Sequence, residues 1–63
     1  MENPIYESYA RLEKILTESF HDASKFVDCN NSAGTRVRKV MQEVKSIAQK
    51  IRLEVQEQKN QPV

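Results

Sequence analysis

From Thr35 to Gln61 the chain contains neither glycine nor proline, and its apolar residues fall at helical spacing throughout. Val37, Met41, Val44, Ala48, Ile51 and Val55 are separated by 4, 3, 4, 3 and 4 residues, the signature of one helix face. Val40 and Ile47 widen that stripe. The first half behaves likewise. Ile5, Tyr9, Leu12, Leu16, Phe20, Ala23 and Val27 form a second apolar stripe, opened by Asn3-Pro4, a good N-cap followed by a first-turn proline. Between the stripes lies the polar cluster Asp28-Cys29-Asn30-Asn31-Ser32. Asn30 is expected to take the left-handed conformation that ends a helix, and Asn31 or Ser32 to cap the next one. The reading is a single all-α domain over 1–63: helix about 4–28, turn about 29–32, helix about 33–59. A turn this short makes the helices an antiparallel hairpin.

A chain of 63 residues cannot bury much apolar surface alone, and small domains are usually stabilised by disulfides, a metal or association. Cys29 is the only cysteine and His21 the only histidine, so neither an internal disulfide nor a structural zinc site can form. Association remains, and two wide apolar faces are best hidden by pairing hairpins into a four-helix bundle, as a homodimer or higher homo-oligomer. Ile15 and Leu53, both off the stripes, support contacts beyond one hairpin. Core packing is the ordinary role for Tyr6, Tyr9, Phe20 and Phe26. No apolar run approaches a signal core or a membrane span, and the absence of tryptophan disfavours a membrane-surface helix. A lone thiol fits a reducing, cytoplasmic setting, although it also permits a cross-chain disulfide.

Catalysis finds no support. His21 falls on the polar side of the first helix, the serines lack His and Asp partners, and Gly34 is the only glycine, so there is no glycine-rich phosphate loop. No cofactor or metal is expected.

Charge is the distinctive feature. Residues 1–32 hold three cations against six anions, a balance of −3; residues 33–63 hold seven against three, a balance of +4. Such a split suits a surface that meets anions. Arg38, Lys45, Arg52 and Lys59 recur every seven residues, about two turns, so they share one side of the second helix. None has an acid three or four positions away, and neither does Arg36, whereas Lys39 has Glu43 and Lys50 has Glu54 at i+4. Two uses of the stripe are open: contact with the phosphates of a duplex, or a solvated face and interchain ion pairs. Gly34-Thr35-Arg36 has two readings as well, a phosphate seat at a helix N-terminus or a close-packing glycine in the seam, and the second fits its register better.

The run Ala33-Gly34-Thr35-Arg36-Val37-Arg38-Lys39, with Met41-Gln42, Lys45, Ala48-Gln49, Ile51-Arg52 and Glu54-Val55-Gln56, resembles the bacterial linker-histone-like family, which includes the chlamydial histone-like protein and short relatives in Bacteroidetes. Lys25-Phe26 and Asn31 match as well. The resemblance implies a small, non-enzymatic, nucleoid-associated protein that binds the phosphate backbone of double-stranded DNA without sequence preference. It implies a basic surface made by Arg36, Arg38, Lys39, Lys45, Arg52 and Lys59. The turn departs from the family pattern, where relatives carry lysines and a glycine. The Lys/Ala/Pro-rich tail of the chlamydial members is not among these residues, which implies weaker compaction. The alternative is a helical oligomerisation or adaptor module that binds a protein partner and no nucleic acid.

Overall fold

The computed structural model describes residues 3–61 and consists of two α-helices, α1 (Pro4–Val27) and α2 (Asn31–Lys59), packed as an antiparallel hairpin. Asn3 caps α1 with extended backbone, its side-chain oxygen accepting from the Ile5 N–H at 2.9 Å, and Pro4 occupies the first turn, where no N–H is needed.

The turn between the helices is shorter than the sequence suggests, and its roles are shifted by one residue. Cys29, not Asn30, takes the left-handed conformation, with φ 74°. The Cys29 N–H bonds the Phe26 carbonyl at 2.9 Å and the Asn30 N–H bonds the Lys25 carbonyl at 3.1 Å. That pair of bonds is a Schellman motif, with Cys29 in the position usually given to glycine. Asn30 is then free to cap α2, and its Oδ1 accepts from the Ala33 N–H at 3.1 Å. Asn31 and Ser32, the expected caps, are already inside the helix.

The seam between the helices is rotated relative to the apolar stripes. The residues withdrawn from solvent on α1 include Ile5, Ser8, Leu12, Ile15, Ser19 and Asp22; on α2 they include Ala33, Val37, Val40, Val44, Ile47, Ile51, Glu54 and Gln58. Both series alternate steps of three and four, the 3.5-residue repeat that keeps a seam facing its partner along long helices. Small side chains dominate the most buried positions: Ser8, Ser19 and Ala33 are buried, as is Ile47. Ser8 Oγ donates to Glu54 Oε1 at 2.9 Å, and Asn3 and Gln58 exchange two amide hydrogen bonds of 2.9 and 2.8 Å at the open end. These polar contacts fix the register where apolar packing is thin.

The rotation corrects two expectations. Ile15 lies in the seam rather than outside it. The aromatics do not pack inside the hairpin: Tyr6, Tyr9, Phe20 and Phe26 are all more than half exposed, as is Leu53. The hairpin measures 53 × 18 × 11 Å, so it is one helix layer thick and has no second layer to cover its broad sides.

An L-residue in the left-handed region is penalised by roughly 1–2 kcal/mol, which glycine avoids. Cys29→Gly should therefore stabilise the hairpin by about 1 kcal/mol. Urea denaturation at one fixed protein concentration checks this through a raised midpoint at unchanged slope.

Candidate nucleic-acid interface

Taking the withdrawn residues as heptad positions a and d assigns every other residue of α2 to a side of the rod. Arg38, Lys45, Arg52 and Lys59 all fall at b, and all are exposed. With about 1.5 Å of rise per residue they stand roughly 10 Å apart and span about 31 Å, close to one turn of B-DNA. Lys39, at c, is also exposed; it lies toward the g flank and meets Arg38 across the outward face of α2, where the two share a depression with Thr35 and Gln42.

The remaining cations are arranged by contacts across the seam. Arg36 falls at g, on the other flank, and its Nε donates to Asp22 Oδ1 of α1 at 3.0 Å. The structure thus separates Arg36 from the four b-position cations and opposes its charge. Glu43 does not serve Lys39: its Oε2 accepts from Arg11 Nη2 of α1 at 2.7 Å. Glu54 does not serve Lys50, because it is drawn into the seam by Ser8. The two local pairs suggested by the sequence are replaced by cross-helix contacts. Among the described residues Arg38, Lys39, Lys45, Lys50, Arg52 and Lys59 have no ion-pair partner. Arg52 makes only a long bond to Gln49 Oε1, 3.4 Å.

The stripe borders apolar surface on its inner side. Lys45 and Arg52 share a shallow depression with Ala48 and Gln49, and Arg38 shares another with Phe26, Gly34 and Val37. The second depression accounts for Gly34. A Cβ on this residue would lie 2.5 Å from Phe26 Cδ1, so the ring occupies the space a larger residue would need. Gly34 is a close-packing position at the mouth of the turn, where the Phe26 ring rests on α2.

Chemically this surface can do one thing well: hold anions spaced along a rod. His21 is exposed on α1. Among the described residues no group of three or more His, Cys, Asp or Glu is placed to hold a metal, and no helix is long and apolar enough to cross a membrane. In the sequence Arg36 looks as unpaired as Arg38, because only neighbours along the helix can be weighed there. The i, i+14 pairing with Asp22 depends on the register of the hairpin, which no local signal encodes.

A family model described as histone H1-like protein Hc1 matches residues 6–61, nearly the whole described hairpin. No curated protein and no solved structure gives a significant match.

Exposed ion pairs contribute about 0.2–1 kcal/mol. Arg36→Gln should therefore shift the urea-derived stability by no more than about 1 kcal/mol. A larger loss would mean that the Asp22 pair organises the turn end.

Proposed function

The chain belongs to the histone H1-like Hc1 family, and from that membership and its surface we infer that it is a sequence-independent, nucleoid-associated DNA-binding protein. Family membership supports binding to DNA, and the surface of α2 supports where DNA lies. The observation that carries it is the row of unopposed cations on α2: Arg38, Lys45, Arg52 and Lys59 at heptad spacing, with Lys39 beside them. A straight row of point charges meets phosphates, which recur regularly along a duplex, and reads no base edges. Arg36, already engaged by Asp22, contributes less than these five. The protein acts in the cytoplasm on the nucleoid, as a homodimer or higher homo-oligomer, and has no catalytic step.

A second reading, a helical adaptor for a protein partner, draws on the exposed apolar side chains Tyr9, Leu16, Phe20, Met41 and Val55. The two readings part on a titration against mixed-sequence duplex at low salt. Binding there supports the first, and its absence leaves only the second.

Every phosphate that the protein neutralises adds about 0.9 to the steepness with which log K falls against log salt. Four neutralised phosphates per protomer give a slope near −3.6 by that rule. Arg38→Gln and Arg52→Gln should each reduce the magnitude by about 0.9, and Arg36→Gln by clearly less. Duplexes of only A·T and only G·C pairs should bind within a few-fold of each other. Fluorescence anisotropy over a salt series measures all of these.

A further inference from the structure

The hairpin carries more surface than its mass requires. It exposes 5496 Å², against about 4,200 Å² expected for a compact monomer of this mass. The surplus of about 1,300 Å² exceeds the roughly 800 Å² that a standard interface takes from each partner. Most of the exposed large apolar side chains, Tyr6, Tyr9, Leu16, Phe20, Val27, Met41 and Val55, fall on one side. Reversing one helix brings like heptad flanks together across the seam, as the g-position pair Arg11–Glu43 does. The other flank, e, therefore gathers Tyr9 and Leu16 of α1 with Gly34, Met41, Ala48 and Val55 of α2. Phe20, three-quarters exposed, broadens it on α1, and the cationic stripe bounds it on α2.

We propose that a second copy of the chain covers this face, with α1 of each copy lying over α2 of the other and both turns at the same end of a four-helix bundle. A twofold dimer through this face has two forms. The twofold axis can run parallel to the helices, which sets α1 on α2, or across them, which sets α1 on α1 and α2 on α2. Size favours the first. Bulk is concentrated on α1, in Tyr9, Leu16 and Phe20, while α2 offers a hollow at Ala48 between Met41 and Val55. Like on like would set bulk against bulk and hollow against hollow.

Charge favours the same form. α2 on α2 would bring the two cationic stripes together. In the first form heights along the rod are kept, and residues at one height have numbers that add to roughly 60, as with Asn3 and Gln58, Ser8 and Glu54, or Phe26 and Gly34. Glu13, at position b of α1, is exposed and has no ion-pair partner among the described residues. It arrives beside Lys45 and Ala48 of the other copy, so that in the dimer Lys45 belongs to the interface while Arg38, Arg52 and Lys59 of the same row stay unopposed. The b positions of α1 are otherwise apolar or aromatic here (Tyr6, Phe20, Val27), so the single acid meets the stripe near its middle.

This arrangement goes beyond self-association by naming the face, the orientation and the ion pair. A consequence that rests on the DNA-binding reading follows from it. With the axis along the bundle the two α2 helices are diagonal, so their stripes lie on opposite edges and one dimer can join two duplexes. The like-on-like form would put both stripes on one edge.

The full chain carries its own probe, because Cys29 is the only cysteine and is exposed at the turn. Nitroxide labels on Cys29, measured by pulsed dipolar spectroscopy, should show a separation below about 25 Å, since neighbouring helices are about 10 Å apart and the labels add the rest. A separation near 40 Å, about the length of a helix, would overturn the orientation while leaving self-association intact. A monomer mass by sedimentation at about 100 μM would overturn both. Neither result bears on the salt titration with DNA. Glu13→Lys should raise the dimer Kd several-fold, and Glu13→Lys with Lys45→Glu should restore it to within about twofold, the signature of a coupled pair. Failure of the swap to restore affinity would overturn the Glu13–Lys45 contact. Finally, an immobilised duplex should retain a labelled free duplex only when protein is present; retention of none, with single-duplex binding intact, would overturn the bridging role.

Discussion

Everything in this hairpin depends on a narrow seam that repeats every 3.5 residues. Each helix must keep one face on its partner over 24 or 29 residues, and the 3.6-residue turn alone would let that face drift away. The seam that stays in register uses Ser8, Ser19, Ala33, Glu54 and Gln58 among its members, so it withdraws modest side chains and leaves the bulky ones outside. Polar contacts at Ser8–Glu54 and Asn3–Gln58 then define which residues face one another. Through that register the seam decides the electrostatics. It sends Asp22 to Arg36 and Glu43 to Arg11, and it leaves the cations of the outer edge of α2 unopposed.

The same constraint divides labour around the rod. One flank of the seam carries cross-helix ion pairs, the other carries apolar side chains, and the basic row borders the apolar flank. The proposed dimer face and the proposed DNA edge are therefore neighbours along α2, and Lys45 stands on their border. Heptad geometry alone sets that adjacency. It also explains how a chain with a formal charge of only +1 presents a basic edge: the acids are concentrated in the first half, and of the three on α2 Glu43 and Glu54 are engaged within the hairpin.

The helical hairpin is legible in the sequence because apolar periodicity and the Asn3-Pro4 start are local signals. The Hc1 family match over residues 6–61 agrees with the resemblance carried by the run from Ala33 to Lys39. The seam is less legible. Periodicity counts large apolar residues, and those mark the outward face here, with Tyr9, Leu16 and Phe20 on α1 and Met41 and Val55 on α2. The turn begins one residue earlier than composition suggests, because in a turn without glycine asparagine is the residue best suited to the left-handed position that Cys29 actually holds. The pairing of Lys39 and Lys50 with acids one turn away gives way to contacts across the seam, which take Glu43 and Glu54 elsewhere. Arg38, Lys45, Arg52 and Lys59 stand out at both levels because a seven-residue recurrence survives any small rotation of the helix.

The central claim is that DNA lies along the outer edge of α2. The most direct measurement is a backbone and side-chain NMR titration of the labelled protein with a short mixed-sequence duplex at low salt. The account predicts perturbations that follow the edge marked by Arg38, Lys45, Arg52 and Lys59 and fade with added salt, while the Arg36–Asp22 flank changes little. Perturbations centred on that opposite flank, or none along α2, would contradict it.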